Sequence, residues 1–152
     1  MVDTQVILEL GSGLDPSTIP GSECVHVDIL PLRDVELVCD LNKTIPFRPD
    51  VFDEVIANDI VEHIFDVFRL MSEIYRVMKK KAKLRVRTTY WKSENAYTDP
   101  SHIHFFTEHS FDYFDPTTEF GRKYSFYTKT KFRIIERKLD GQEQQFVLEK
   151  ID

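Results

Sequence analysis

The sequence predicts an α/β fold: a doubly wound, mostly parallel sheet that ends in an antiparallel hairpin, with helices reduced or absent on one face. Three observations carry this. Short runs rich in β-branched residues alternate with connections along the first part of the chain. One long helical stripe follows the fourth run, and two alternating runs around Asp140-Gly141 close the chain. Strands interleaved with connections, then a hairpin, are the pattern of a doubly wound sheet.

Residues 5–10 (Gln-Val-Ile-Leu-Glu-Leu) read as the first strand, 24–29 as the second, 36–40 as the third and 53–57 as the fourth. Each is short and ends near a polar residue or a turn signal. Ile60, Ile64, Val67, Met71, Ile74 and Met78 then recur at steps of four, three, four, three and four, the buried stripe of a helix. Asp59 followed by Glu62 fits a capping pattern at its start. Lys79-Lys80-Lys81 read as the turn after this helix, and residues 83–90 as the fifth strand. A loop covers 91–106, a short helix runs from Thr107 to Phe114, and 130–139 with 143–150 form the hairpin.

The early connections are unusual. Residues 11–23, 30–35 and 41–52 contain Pro16, Pro20, Pro31, Pro46 and Pro49, and none has room for a full crossover helix. No helix is expected before the first strand, so one sheet face is expected to be poorly covered. An apolar face is rarely left wet in a monomer. A homodimer covering the exposed side of the first three strands is therefore expected.

The 152 residues suit a single domain spanning 1–152, with an ordinary 41% apolar and 30% charged content. No apolar run reaches the roughly 20 residues of a membrane span, and the first residues carry no signal-like core. A cytoplasmic protein is expected. The net charge of −6 disfavours general nucleic-acid binding; the lysine cluster at 79–83 reads as a solvated turn. Cys24 and Cys39 fall at opposite ends of adjacent strands, too far apart for a disulfide, and are expected as free thiols. No Cys/His spacing typical of a metal site is present, and no metal is expected.

The most informative stretch is Leu8-Glu9-Leu10-Gly11-Ser12-Gly13-Leu14-Asp15-Pro16. An apolar run ending in an acid and then Gly-x-Gly reads as a strand entering a tight turn that a ligand can approach closely. Asp28, 17 residues after Gly11, stands near the spacing at which an acid holds ribose hydroxyls. Pro16 occupies the third position of the dinucleotide fingerprint, where Gly or Ala is expected. That favours a nucleoside ligand without a pyrophosphate over NAD or FAD, and S-adenosyl-L-methionine is the obvious candidate.

Over residues 6–115 the chain resembles the class I (Rossmann-like) S-adenosylmethionine-dependent methyltransferases, in particular their type 11 branch. The resemblance rests on the glycine stretch, His26-Val27-Asp28, Val38-Cys39-Asp40-Leu41, Ile45-Pro46-Phe47 and Phe52-Asp53-Glu54-Val55-Ile56-Ala57-Asn58. It continues in Val61-Glu62-His63-Ile64 and in Asp99-Pro100-Ser101-His102-Ile103-His104-Phe105-Phe106-Thr107. It implies that Glu9 orients the methionyl ammonium and that Gly11, Ser12 and Gly13 let the backbone approach the ligand. Asp28, with Ile29 beside it, would accept from both ribose hydroxyls. Asp40 and the Leu41 backbone would read the adenine edge. Asn58 and its neighbour Asp59 would form the floor under the sulfonium, although a plain helix cap is the favoured reading of Asp59. Two features depart from the family: Lys79-Lys80-Lys81-Ala82 replaces the usual Pro-Gly-Gly turn, and the N-terminal helix that often closes over the cofactor is not expected here.

On the acceptor side the candidates are His102, His104 and His63. Two histidines after the fifth strand, on the cofactor edge, can deprotonate or orient a nucleophile. Their other reading is a structural loop in which Phe105 and Phe106 plug the core and the histidines bond backbone. Tyr90 and Trp91 are expected to line or lid the same pocket. The expected function is methyl transfer from S-adenosylmethionine to an unidentified acceptor, leaving S-adenosyl-L-homocysteine. The alternatives are a catalytically weak methyltransferase-like interaction module and, less favoured by Pro16, a nicotinamide-dependent oxidoreductase.

Overall fold

The apolar runs pair as parallel strands, and their register decides which side chains share a face. The computed structural model describes residues 4–152. Its strands are β1 (Gln5–Leu10), β2 (Ser22–Asp28), β3 (Leu37–Val38), β4 (Phe52–Asn58), β5 (Met78–Thr89), β6 (Phe132–Asp140) and β7 (Glu143–Lys150). Among the described residues they form one sheet in the order β3-β2-β1-β4-β5-β7-β6. The first five run parallel, and β7 is antiparallel to both β5 and β6. The predicted fold class is the observed one.

Leu8 stands opposite Val25 and Val55, and Leu10 opposite Val27 and Ala57. Leu84 and Val86 continue these rows to Leu148 and Phe146. In-register residues project to the same side, so one face of the sheet is a continuous apolar floor. Helix α1 (Val67–Val77) lies on it, burying Leu70, Met71, Ile74 and Val77. No helix among the described residues is long and apolar enough to cross a membrane.

The predicted long helix is interrupted. Val61–His63 make one 3-10 turn, Ile64 is extended, and α1 begins only after Asp66, whose carboxylate accepts from the Arg69 N–H at 2.9 Å. Asp66 is therefore the cap, and neither Asp59 nor Glu62 is. Asp59 adopts a left-handed φ of 52° and pairs with Arg87, so it ends β4 instead of starting a helix. The lysine segment is also different from its reading as a turn. Helix α1 passes directly into β5 at Met78, and a bulge carries Lys79–Lys81. Lys79 binds Asp53 at 2.9 Å and Lys80 lies 3.3 Å from Asp152, so both are paired. The third strand is shorter than predicted. A short helix, α2 (Asn95–Thr98), lies in the stretch read as loop, a 3-10 turn at Ser110–Phe114 replaces the short helix, and α3 (Glu119–Lys123) occupies a stretch to which the sequence assigned no element.

The crossovers from β1 to β4 are loops, as the prolines implied, and carboxylates staple them down. Glu9 takes the Ser17 N–H at 2.8 Å and its hydroxyl at 2.6 Å. Glu36 takes the His26 N–H at 2.7 Å. Glu73 on α1 accepts from the Ile45 N–H at 2.8 Å, while Arg76 donates to the carbonyls of Ile45 and Phe47. The second sheet face under these loops is not the bare apolar surface expected. Ile7, Ile56 and Val147 are buried there, but Glu9, His26, Glu54 and Arg85 share it, and Arg85 pairs with Glu54 at 2.6 Å. Cys24 and Cys39 are free thiols. Cys39 follows Val38, which lies opposite Asp28, so it stands near the far end of β2 from Cys24.

The C-terminal part is organised on Asp115. Burial alone would raise its pKa. The Ile134 N–H at 2.9 Å and the Thr117 N–H and hydroxyl at 2.8 and 2.7 Å bind the ionised carboxylate and hold it below the usual range. Gly121 of α3 packs so close that a Cβ there would lie 1.9 Å from the Asp115 carbonyl oxygen. Two outcomes are expected. Gly121→Ala should lower unfolding stability in urea by about 1–3 kcal/mol through overpacking. Asp115 has a lowered folded pKa, so its contribution is full above the unfolded value of about 3.9 and fades as pH falls through the folded one. The stability gap between wild type and Asp115→Asn should therefore be wide near neutral pH and narrow towards about pH 3.

Candidate functional site

The carboxyl ends of β1, β2 and β4 meet on one edge of the sheet, where open α/β sheets place ligands. There Gly11 and Gly13 turn the chain with φ of 64° and 62°, a region that favours glycine. The Ser12 N–H donates to the Val27 carbonyl at 3.1 Å, tying the turn to β2. Asp28 closes the arrangement by accepting from the Gly13 N–H and the Leu30 N–H, each at 2.9 Å. These bonds fix its carboxylate, and each oxygen keeps lone-pair capacity for another donor.

Two hollows flank Gly11. One of about 460 Å³ is lined by Glu9, Ser12, Asp15, Asn58, Asp59 and Arg87 together with Gly11. The other, about 260 Å³, is lined by Asp28, Ile29, Asp40, Leu41, Ile60 and His63 with Gly11. Of the residues expected around a cofactor, only Gly13 lines neither; its N–H holds Asp28 instead. The Asn42 backbone N–H, helped by its side chain, keeps the Asp40 carboxyl below its ordinary pKa. The Ser12 hydroxyl is buried and has no hydrogen-bond partner among the described residues. Glu9 is buried with both oxygens already engaged by Ser17, and Asp59 with Arg87 forms an ion pair at the edge of the larger hollow.

The three histidines are not equivalent. His63 and His102 meet edge to face, with ring centroids 4.7 Å apart. The His102 Nδ1 faces the Ala96 carbonyl at 3.0 Å, an acceptor, so this nitrogen carries the proton and Nε2 holds a lone pair. The Ser101 hydroxyl donates to Asp99 at 2.6 Å, so the His63 Nδ1, 3.0 Å away, donates to Ser101. Ser101 also holds the Asp99 carboxyl below its ordinary pKa, through its hydroxyl and its N–H. His104 is separated from this pair. Its Nε2 lies 3.3 Å from the Phe65 carbonyl, beside an aromatic hollow of about 590 Å³ that includes Phe65, Phe68 and Tyr113. Tyr90 and Trp91 line neither hollow at the glycine turn. Phe106 does plug the core, whereas Phe105 is half exposed and stacks on Tyr97.

Several residues escaped the sequence reading. Glu62 is fully buried, neither carboxylate oxygen has a hydrogen-bond partner among the described residues, and burial pushes its pKa up. Its backbone carbonyl accepts from the Ile103 and His104 N–H groups at 2.9 and 3.3 Å, docking the histidine loop. Asp99, His102 and His63 offer one ligand atom each, all within 4.8 Å of one another. Spacing missed the group because His63 precedes Asp99 by 36 residues; the Asp-x-x-His segment was the only local trace.

A family model described as "Methyltransferase domain" matches residues 11–86. No curated protein matches the chain in sequence. Solved structures do share its fold. The YcgJ protein of Bacillus subtilis is 14% identical with a TM-score of 0.66, over 98% of this chain and 93% of that one. An S-adenosylmethionine-dependent methyltransferase of Archaeoglobus fulgidus is 18% identical, TM-score 0.64, over 97% and 87%. The 1,6-didemethyltoxoflavin-N1-methyltransferase of Burkholderia thailandensis, solved with 1,6-didemethyltoxoflavin and S-adenosylhomocysteine bound, is 13% identical, TM-score 0.70, over 98% and 72%.

The two glycines of the turn should respond differently to substitution. A Cβ at Gly11 would meet the Ile60 side chain at 2.8 Å, whereas one at Gly13 would meet nothing within 4 Å. Gly13→Ala should cost about 1–2 kcal/mol from its left-handed backbone alone. Gly11→Ala should cost more, measured by urea denaturation of both variants.

Proposed function

The chain belongs to the methyltransferase domain family, and on that premise we propose that it binds S-adenosylmethionine across the two hollows and transfers its methyl group to an acceptor. The observation that carries this is Asp28, an acceptor-only carboxylate held in place by Gly13 and Leu30 between the glycine turn and the smaller hollow. A ribose diol offers two donors to such a group. Asp40 and the Leu41 backbone, at the end of the next strand, suit an adenine edge, with Ile29 giving apolar contact. Glu9, Ser12, Asn58 and Asp59 line the larger hollow, where acids favour a cationic sulfonium and ammonium. The unpartnered Ser12 hydroxyl suits a ligand polar group. When bound, S-adenosylmethionine supplies a methyl group already activated for in-line displacement.

The protein's part is then orientation. Holding an acceptor at near-attack distance supplies much of such a rate. His63 borders the smaller hollow, Gly11 lines both hollows, and His102 packs on His63, so we place the acceptor where the two hollows meet, beside the sulfonium. A hydroxyl acceptor entering there would meet imidazole lone pairs able to take a hydrogen bond. His104, turned to the Phe65 carbonyl, has at most an indirect part. The second reading is a catalytically weak interaction module. It draws on the commitment of Glu9 to Ser17 and of Asp59 to Arg87, which leaves fewer free acids for a ligand.

Calorimetric titration with S-adenosylhomocysteine is expected to show one site. Asp28→Ala should weaken it about 10- to 100-fold, as loss of charged hydrogen bonds predicts, with Asp28→Asn losing less. An unchanged dissociation constant in both variants would remove Asp28 from the site. Methyl transfer to no member of a broad acceptor pool, with binding intact, would favour the interaction module.

A further inference from the structure

We propose that His63, Asp99 and His102 form a divalent transition-metal site, of the type that takes Zn²⁺, at the margin of the smaller hollow. One ligand atom from each lies within 4.8 Å of the others. The Nε2 of His102 and a carboxylate oxygen of Asp99 are 3.9 Å apart. Tetrahedral zinc with bonds of 2.0–2.1 Å separates its ligands by about 3.4 Å, so the His102–Asp99 pair would close by about 0.5 Å and the other pairs by up to about 1.4 Å on binding.

The surroundings are those of a ligand set and not of chance neighbours. The His102 side chain is only 8% exposed, and its Nδ1–H is held by the Ala96 carbonyl, leaving Nε2 bare on the Asp99 side. Such an outer hydrogen bond fixes the tautomer and aim of a metal-binding imidazole. Asp99 is oriented by the Ser101 N–H at 2.8 Å and the Ser101 hydroxyl at 2.6 Å, and remains half exposed, which gives an ion an entry path. The loop that carries both residues is fixed against the His63 turn by two N–H groups on the Glu62 carbonyl.

The donor set also selects the ion. Two imidazoles and one carboxylate suit zinc, cobalt or ferrous iron, whereas calcium and magnesium prefer all-oxygen cages. Three protein ligands leave at least one position open, the arrangement of reactive rather than structural sites. His63 belongs both to this group and to the lining of the smaller hollow. If the proposed methyl transfer is right, the open position would face an acceptor bearing an oxygen donor; the metal site itself does not depend on that reading.

The test uses the full chain without a histidine tag, stripped with a chelator and titrated with Zn²⁺ by calorimetry and with Co²⁺ by visible absorption. One equivalent should bind, and cobalt should give the intense bands of low coordination number. Asp99→Ala and His102→Ala should each weaken binding by about 100-fold or more, while His109→Ala, a surface histidine beside Asp112, should not. Asp99 is exposed, so its variant tests the site even where His102→Ala fails to fold. Failure to bind one equivalent, or binding unaffected by Asp99→Ala, overturns the proposal. S-adenosylhomocysteine titrated into the metal-free protein separates the two readings: it should bind whether or not the ion does.

Discussion

The fold depends on side-chain carboxylates doing for the early crossovers what helices do in a fully wound sheet. A parallel pair needs a long connection between its strands, and a connection without a helix leaves its backbone N–H groups to find partners elsewhere. In this protein Glu9 and Glu73 supply them at Ser17 and Ile45, and Glu36, within the connection before β3, ties that connection back to the His26 N–H of β2. Glu9 on β1 and Glu73 on α1 each reach from a regular element into a loop. The negative net charge is therefore partly structural: several acids are spent on backbone donors and not displayed to solvent.

The same economy shapes the ligand edge. Asp28 both closes the glycine turn, through Gly13 and Leu30, and presents itself to the smaller hollow. A ligand bonding to Asp28 would find a group that needs no reorganisation, which is how a preformed site limits the entropic part of binding. Glu9 shows the opposite consequence. By fixing the loop through Ser17 it engages both of its oxygens, so its free capacity for a ligand is smaller than that of Asp28.

Most of the sheet was legible because apolar runs and turn residues are local signals. β1, β4 and the hairpin came from such runs, and the absence of early helices from prolines at known positions. Three things were not legible for one reason: the deciding partner is distant in sequence. The β5 bulge at Lys79–Lys81 is held by Asp53 across the sheet. Asp59 fitted a cap by spacing, yet Arg87 claims it. The apolar second face was inferred from missing helices, but the cross-strand pair of Glu54 and Arg85 half fills it with charge. The residues expected on the cofactor side lie together because strand ends carry them in order; the meeting of His63, Asp99 and His102 was not legible, because a loop returns across the edge to make it.

That return explains the interrupted helix. In a continuous α-helix from Ile60 to Met78, the Glu62 carbonyl would accept from the N–H four residues on, at Asp66. The chain instead turns extended at Ile64 and starts afresh behind the Asp66 cap, leaving the Glu62 carbonyl free. Ile103 and His104 donate to it, and that contact carries the loop with Asp99, Ser101 and His102 to His63. The apolar periodicity survives the break because Val61 and Ile64 remain buried on the same core as α1. Periodicity reports burial, which both arrangements satisfy; the backbone bond that decides between them belongs to a loop some forty positions away. The break in the helix and the assembly of the histidine group are thus one structural event.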